Sequence, residues 1–307
     1  MPSVTDRPEL VVAVWASVVF ALTGIAVAAL WLLGVNLQTL GPSSHNVGPA
    51  FAAIEITAYA PTLAAVLVAL LMPGAGSLRQ LLRPVLRWRV GLGWYAAAVI
   101  GPIFVLLLAD VIHIALGGAP PRRWLVLPVG FAAAFVAGSL VAGAVGEEIG
   151  WRGLGQAWLQ RRLGALGAAL VVAVLWTLWH EWPLAGPGGD AGATPVGFGL
   201  FLVRLAALSV LLAWLFNSTG GSLLIPMLGH AGYDFANNIV GSPADGAQLG
   251  PVTLVIYVIA AALVVLIAGG RTLSRKAQPA TGLDPKPAGH QKDKARCKYH
   301  LSGRLGM

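Results

Sequence analysis

Charged residues and cysteine are both scarce in this chain of 307 residues. Only 10% of the residues are charged, against about 25% in typical soluble domains, which excludes an ordinary water-soluble globular protein. The single cysteine, Cys297, excludes an intramolecular disulfide framework and a zinc site built from cysteines. These absences indicate a protein that is stabilised neither by a charged, hydrated surface nor by disulfides.

Long apolar runs fill most of the sequence instead. Hydrophobic residues make up 57% of the chain, and the mean hydropathy is +0.77. A helix needs about 20 apolar residues to cross the hydrocarbon core of a bilayer, and runs of this length recur along the chain. We therefore predict an all-α fold, a polytopic membrane helix bundle of about eight transmembrane helices. The predicted helices span approximately residues 10–33, 50–72, 94–116, 128–148, 166–182, 196–216, 222–240 and 251–268.

The first apolar run also resembles a secretory signal, because the sequence Ala-Val-Ala at 26–28 has the small residues of a cleavage site. The run is long for a signal peptide, however, and Asp6 and Glu9 outweigh Arg7 in the segment before it. We therefore favour a retained first helix over a cleaved signal.

Basic residues mark one side of the predicted bundle. The segment 77–90 carries four arginines among leucines, which predicts an amphipathic stretch in the headgroup plane that Pro84 kinks or divides. If both termini are inside, the arginine-rich loops at 77–90 and 152–162 share that side, and only Arg122 and Arg123 lie outside. Short basic loops stay on the cytoplasmic side. We therefore predict a multi-pass protein of a bacterial-type plasma membrane with both termini cytoplasmic.

The chain divides into two predicted parts, a membrane-embedded domain at 1–269 and a tail at 270–307. The tail is rich in Lys, Arg, Pro and Gly and has little apolar content, which predicts a disordered, basic cytoplasmic segment. The net charge of +8 comes from residues beside membrane helices, without an aromatic-rich soluble face. The predicted partner is therefore membrane lipid, anionic lipid above all, and no nucleic acid.

Polar and ionisable side chains inside the predicted helices need an explanation. A charged side chain at the bilayer centre costs about 2.5 to 3.5 kcal/mol, so each one requires a partner or a function. Most of them fall between residues 147 and 234. The full set is Glu55, Asp110, His113, Glu147, Glu148, Arg152, His180, Glu181, Arg204, His230 and Asp234.

Two adjacent glutamates end the predicted fourth helix. Residues four apart share a helix face, so Glu148 is expected to reach Arg152 while Glu147 points about 100° away and stays unpaired. A structural ion pair that fixes the helix end explains Glu148 and Arg152 as well as a catalytic role does. An unpaired Glu147 has the chemistry of a general acid or base.

Two histidine segments follow the glutamates. Trp176 and His180 share a face of the fifth helix, and His230 and Asp234 share a face of the seventh. Taken singly, each is explained as well by a hydrogen-bonded core histidine or by a polar contact between membrane helices. The zinc-protease pattern H-E-x-x-H is absent after His180, because position 184 is leucine.

The three segments together have the groups needed for hydrolysis. Glu147, His180 and His230 are candidate ligands of a zinc ion with an open coordination position. The same side chains are equally suited to activating water and stabilising an oxyanion with no cofactor. The residues leave these two routes open.

The order and spacing of the motifs resemble one known family. The sequence is similar to the CPBP intramembrane proteases, which include the CAAX prenyl endopeptidases and the bacteriocin self-immunity proteins. The resemblance covers roughly residues 90–240, the predicted protease-like core, and extends to the stretch 214–227 and to Leu-Arg-Trp-Arg-Val at 86–90. It rests on Glu147-Glu148-x-x-x-Arg152, Trp176-x-x-x-His180 and His230-x-x-x-Asp234.

The resemblance implies a role for each matching residue. In the family, the first glutamate and the first histidine position and deprotonate the attacking water, which assigns these roles to Glu147 and His180. The last motif holds the tetrahedral oxyanion, which assigns that role to His230 and Asp234. The supporting residues are then Glu148, Arg152 and Trp176.

Two residues depart from the family pattern. The family commonly has phenylalanine at the position of Trp176, and we expect this change to alter bulk alone. It commonly has asparagine at the position of Asp234, and an ionised aspartate cannot donate a hydrogen bond to an oxyanion. Asp234 is therefore either held protonated, or orients His230, or ligands a metal.

The leading hypothesis is an intramembrane endopeptidase that cleaves a membrane-associated or prenylated, CAAX-type protein or peptide near the cytoplasmic side. One alternative is a secondary transporter in which Glu55, Asp110, His113 and Arg204 join the cluster as a midplane relay, with Arg204 paired to one of the two acids. Another is a non-catalytic, immunity-type membrane protein that keeps the fold.

Overall fold

The computed structural model describes residues 7–35, 48–127, 130–181 and 194–275, and these form an all-α bundle. The predicted fold class is therefore confirmed. A 3-10 turn at Arg83–Leu86 follows α3, and two π-helical segments, Phe135–Val145 and Ile149–Gln156, flank α6. The helices are α1 (Pro8–Leu32), α2 (Pro49–Leu71), α3 (Leu78–Leu82), α4 (Leu92–Ala115), α5 (Phe131–Ala134), α6 (Gly146–Glu148), α7 (Ala157–His180), α8 (Pro195–Ser218), α9 (Leu224–Ile239) and α10 (Gly250–Ala268).

Among the described residues, six helical stretches are long and apolar enough to span a membrane, and the longest of these, Phe131–His180, has 50 residues. This stretch turns back on itself at Gly164, whose φ of 69° is non-helical. Trp151 precedes that glycine and Trp176 follows it, and their ring centroids are 6.4 Å apart. The stretch therefore crosses twice. With the 16-residue α9, the described part of the chain contains the eight predicted crossings.

Both ends of the described chain lie at the same end of the bundle. Glu9 at the start of α1 pairs with Arg162 at 3.2 Å, and the amide of Ala165 donates to the carbonyl of Arg271 at 2.9 Å. The basic segment after α2 lies there too, because Arg87 donates to the carbonyl of Gly220 beyond α8. An even number of crossings follows. Which side of the membrane this basic end faces stays a prediction.

The fourth predicted helix does not stop at Glu148, since the helical path continues as π-helix to Gln156 and on into α7. Two glycines of this stretch, Gly146 and Gly150, have a packing role. A Cβ atom on Gly150 would lie 2.4 Å from the backbone of Pro61, and one on Gly146 would lie 2.9 Å from the Ala58 carbonyl. Small residues let membrane helices approach closely. Gly146 and Gly150 therefore allow this helix to pack closely against α2, which places the two glutamates in the interior of the bundle.

Two predictions at the basic end have different outcomes. Ser77 forms a capping box with Gln80 at the start of α3, and the α-helix gives way to the 3-10 turn next to Pro84 as expected. In contrast, residues 270–275, which the sequence assigns to a disordered tail, pack onto the bundle. Leu273 is fully buried, and Asn217 donates to the Thr272 carbonyl at 2.9 Å. The rest of the predicted tail, 276–307, lies outside the described residues.

Candidate active site

Three helices bring the motif residues together inside the bundle. Helix α6 contributes the two glutamates, the following π-helical segment contributes Arg152, α7 contributes Trp176 and His180, and α9 contributes His230 and Asp234. The contacts between them are direct, although the chain separates the first motif from the last by 82 residues. Chain folding therefore assembles one cluster from three short segments.

Glu147 is held by two tryptophans. Its Oε2 accepts a hydrogen bond from Trp176 Nε1 at 2.6 Å and another from Trp151 Nε1 at 3.1 Å. The residue is 7% exposed. Glu147 has no ion pair among the described residues, as the spacing predicts, but two neutral donors that the sequence did not indicate fix its orientation. Among the described residues, no hydrogen bond reaches Oε1, so one carboxylate oxygen stays available to a substrate or water.

Glu148 joins the first motif to the last. Its Oε1 accepts from Arg152 Nη1 at 3.0 Å, as the spacing predicts, and from His230 Nδ1 at 2.9 Å, which the sequence did not indicate. All three residues are buried, with exposures of 0 to 3%. Removing one partner of a buried ion pair is costly because the remaining charge stays out of water. Glu148 therefore fixes the α9 histidine relative to α6.

Asp234 lies at the open edge of the cluster. Its Oδ2 is 3.5 Å from His230 Nε2, and its side chain is 40% exposed. The two ring nitrogens of His230 thus face two different carboxylates. The distance to Asp234 is at the limit of a hydrogen bond but within the range of an ion pair.

His180 reaches the cluster through Trp176. Its Nδ1 lies 2.9 Å from the Trp176 carbonyl oxygen, and a carbonyl oxygen only accepts, so Nδ1 carries a proton. In the neutral imidazole, Nε2 is then the nitrogen with the free lone pair. The ring packs edge-on against Trp179 and Phe201, at 4.9 and 5.5 Å between centroids. This apolar enclosure restricts the orientation of the imidazole.

Trp176 contacts His230, Arg152 and Glu147, and one of these contacts is a hydrogen bond that does not depend on the size of the ring. Its indole lies 5.1 Å from the His230 ring, and the Arg152 guanidinium lies over it at 4.8 Å. Its N–H also donates to Glu147. A phenylalanine could make the ring contacts but not the hydrogen bond, so the expectation that this departure alters bulk alone was wrong.

Sequence reasoning missed Trp151. It lies four residues after Glu147, the same spacing that predicted the pair of Glu148 with Arg152. The rule that found the ion pair could therefore have found this hydrogen bond too. It did not, because Trp151 reads as one more apolar residue of a membrane helix.

The proposed metal ligands do not converge. Among the described residues, no group of three His, Cys, Asp or Glu side chains is arranged to hold a metal ion. Glu147 Oε2 is already bound to two indoles, and His230 Nδ1 to Glu148. Glu147 Oε1 and the Nε2 atoms of both histidines are not engaged by these bonds, so a zinc site built from Glu147, His180 and His230 stays a prediction.

The other polar residues of the helices belong to a different region. His113, in the last turn of α4, pairs through Nε2 with Asp245 Oδ2 at 2.9 Å. Arg204 donates to the Gly250 carbonyl at 3.1 Å and lines a cavity of about 250 Å³ with Asp110. In the described part of the chain, Arg204 has no ion pair with Asp110 or Glu55. The relay that a transporter would need is not assembled among these residues.

Residues 128–236 match the family model of the type II CAAX prenyl endopeptidases, Rce1-like. The match contains every residue of the three motifs, from Glu147 to Asp234. It confirms the predicted resemblance and supports an intramembrane endopeptidase in general. No curated protein matches the chain.

Six apolar helices and this family match together indicate an integral, multi-pass membrane protein.

Proposed function

We propose that this protein is an intramembrane endopeptidase that hydrolyses a peptide bond of a membrane-associated or prenylated, CAAX-type substrate with water activated by Glu147 and His180. The observation that carries the proposal is the pair of hydrogen bonds from Trp151 and Trp176 that fix the Glu147 carboxylate. Two indole N–H groups hold one carboxylate oxygen, while the other oxygen has no partner among the described residues. A base held in one orientation is what general base catalysis requires.

The hydrolytic step follows from these groups. Glu147 Oε1 takes a proton from water as the water oxygen attacks the scissile carbonyl carbon. His180 Nε2 accepts a hydrogen bond from the other O–H of the water, whose hydrogen stays on the attacking oxygen, and this bond orients the oxygen lone pair towards the carbonyl carbon. When the oxyanion re-forms the carbonyl and the C–N bond breaks, the proton held by Glu147 passes to the leaving amine. The products are a carboxylic acid and an amine, and Glu147 is a carboxylate again.

His230 is the proposed donor to the oxyanion. Its Nδ1 donates to Glu148 at 2.9 Å, so the proposed donor to the oxyanion is the Nε2–H group, whose contact with Asp234 at 3.5 Å is at the limit of a hydrogen bond. Of the three roles open to Asp234, the distance favours orientation of His230. Donors fixed in advance at a developing negative charge give the largest single contribution in many enzymes.

The substrate class is proposed from the environment of the site. The cluster lies among apolar helices and opens at Asp234, the one motif residue with a substantially exposed side chain. A lipid-anchored peptide reaches such a site from the bilayer. The name of the matching family supports a prenylated, CAAX-type substrate, cleaved near the cytoplasmic side.

The test is cleavage of a prenylated peptide by the purified protein, with products identified by mass spectrometry. Glu147→Gln removes the base and His180→Ala removes the second acceptor, and each is expected to lower turnover at least about a hundredfold. Glu55→Gln is the matched control, a second membrane glutamate outside the cluster. Wild-type turnover in either site variant would contradict the proposal.

Three further measurements separate the remaining alternatives. Loss of activity on chelation, restored by zinc, would replace the metal-free step with a metal-dependent one. Substrate flux into proteoliposomes without any peptide product would favour the transporter. Full protection of cells by the Glu147 variant in a bacteriocin assay would favour a non-catalytic immunity protein.

A further inference from the structure

Helix α1 packs against the candidate active site, although it precedes the residues 128–236 that match the family. Trp15 of α1 is fully buried and donates from Nε1 to the Pro61 carbonyl of α2 at 3.0 Å. Its indole also meets the Trp151 ring edge-on, with centroids 5.2 Å apart. Trp15 therefore anchors α1 to α2 and to one of the two tryptophans that donate to Glu147.

Further along α1, Thr23 makes two hydrogen bonds through one hydroxyl group. Its Oγ1 lies 2.9 Å from the Val19 carbonyl oxygen and 3.1 Å from Trp179 Nε1. A hydroxyl has one hydrogen to donate and a carbonyl oxygen only accepts, so Thr23 donates to Val19 and accepts from the indole. Thr23 is 5% exposed and Trp179 is 4% exposed, so bulk water has little access to this bond.

Trp179 connects Thr23 to His180. The two rings meet edge-on, with centroids 4.9 Å apart and planes at 86°. The bond from His180 Nδ1 to the Trp176 carbonyl fixes one atom of the imidazole. The contact with Trp179 limits how the ring tilts about that bond, so it sets the direction in which Nε2 points.

The hydrogen bond to Thr23 holds the Trp179 indole in one orientation. A buried N–H group without an acceptor is costly, so a ring orientation that broke this bond would be disfavoured. The same indole lies 6.0 Å from the Trp151 ring, which donates to Glu147. Trp179 therefore borders both of the groups that are proposed to activate water.

We propose that Thr23 is a positioning residue of the active site, which holds Trp179 and thereby directs Nε2 of His180 towards the attacking water. This inference rests on the proposed function. A misplacement of about 1 Å in an active site lowers the rate by up to about a hundredfold, so support from outside the motifs has a measurable effect.

The test is the kinetics of prenylated-peptide cleavage by Thr23→Val and Thr23→Ser. Valine has nearly the shape of threonine but no acceptor, whereas serine keeps the hydroxyl group. In Thr23→Val we expect kcat to fall about two- to tenfold, the effect of one neutral hydrogen bond, with KM little changed. Thr23→Ser should recover most of this loss. Wild-type kcat in Thr23→Val, or an equal loss in Thr23→Ser, would overturn the proposal.

Trp179→Phe removes the same hydrogen bond from the donor side and keeps a ring against His180. We expect a similar loss of kcat, with no further loss when Thr23→Val is added, because the bond is already absent. Additive losses in the double variant would mean that the two residues act separately, which would overturn the proposed connection.

Thr57→Val is the matched control. Thr57 is fully buried on α2 and also donates to the carbonyl four residues before it, that of Ala53 at 2.9 Å. Among the described residues, no side chain donates to its hydroxyl. This variant should keep the wild-type kcat. A loss equal to that of Thr23→Val would indicate a general effect of removing a buried threonine hydroxyl and would overturn the positioning role.

A measurement without turnover separates this proposal from the proposed function. The chain has six histidines, so the His180 ring signal in the NMR spectrum of ring-labelled protein can be assigned by its loss in His180→Ala. We expect this signal to shift or split in Thr23→Val and to return in Thr23→Ser. An unchanged signal in Thr23→Val would overturn the positioning of His180. The expected response in a protein that cleaves no peptide would contradict the proposed function but support the positioning.

Discussion

Buried charged side chains around Glu148 and around Arg204 have different kinds of partners. Around Glu148, the charges form one connected network in which Arg152 and His230 both donate to the same carboxylate oxygen. Around Arg204, the guanidinium is bound to a neutral carbonyl, and Asp110, which lines the same cavity, has no ion pair with it among the described residues.

The contrast shows that a buried charge is by itself a poor guide to a site. Both regions contain acids and bases that a hydropathy profile marks as exceptional. Only the first connects them, through Trp176, to a carboxylate with a free oxygen. Connected polar networks restrict side-chain orientation, whereas isolated buried charges remain satisfied separately by backbone, water or ligand. Connectivity therefore distinguishes the proposed active site.

The largest effect should come from breaking the connected network. Arg152→Met leaves Glu148 buried with His230 as its one remaining partner, and we expect a loss of about 3 to 5 kcal/mol in the free energy of unfolding. Arg204→Met removes hydrogen bonds to neutral groups and should cost less than half as much. Chemical unfolding of both variants in the same detergent measures the difference. Equal losses of unfolding free energy in the two variants would contradict the view that the charges around Glu148 are coupled more strongly than those around Arg204.

A smaller effect should come from the indoles that hold Glu147. Trp176→Phe keeps the ring but removes the N–H donor, and one hydrogen bond to a carboxylate is worth about 1.5 to 3 kcal/mol. We expect kcat to fall about ten- to a hundredfold with KM little changed, because the bond orients the base and does not bind substrate. Trp151→Phe should cost less, since its bond is longer, 3.1 against 2.6 Å.

Trp158→Phe is the control for this series. Trp158 is also fully buried on α7, but its indole N–H has no partner among the described residues. The variant should keep kcat close to the wild-type value. A similar loss of kcat in Trp158→Phe would mean that packing, and not the hydrogen bond to Glu147, explains the effect.

The smallest effect should come from the far end of the second region. Backbone amides of Ala119 and Ala247, together with His113, lower the pKa of Asp245 from 3.8 to about 2. Asp245 therefore stabilises the fold above its unfolded pKa, and this contribution is lost as the pH falls through about 2. In Asp245→Asn we expect faster amide hydrogen exchange at Ala119 at neutral pH.

The same comparison at low pH tests the cause. As the pH falls from 3.8 towards 2, the exchange protection of the wild type and of Asp245→Asn should converge. A difference that stays constant over this range would mean that the charge of Asp245 has no part in holding the turn. Exchange near Glu148 should be the same in both proteins.

Much of the fold could be predicted because its signal is local. Each apolar run was long enough to identify a crossing, and even the short α9 was predicted at 222–240 and observed at Leu224–Ile239. The end of the fourth helix was not predictable in this way. The sequence does not show the role of Gly150, because only the folded structure reveals that a Cβ atom at this position would lie 2.4 Å from the backbone of Pro61.

The sequence predicted which residues form the site, but it predicted few of the hydrogen bonds between them. The i, i+4 rule found the pair of Glu148 with Arg152, because both residues belong to one stretch of helix. It could not find the bond of Glu148 to His230, 82 residues away, or that of Glu147 to Trp176, 29 residues away. The pairing of Arg204 failed for the same reason, since charge alone does not specify which groups meet.

The sequence by itself determined that this protein folds in lipid, where its helices cross, and which few residues are too polar to be there without a reason. Hydropathy and helical spacing are properties of neighbouring residues, so the chain contains them before it folds. Only the tertiary structure decided which of those residues touch. Such contacts depend on how closely whole helices pack, and glycines such as Gly146 and Gly150 set that distance.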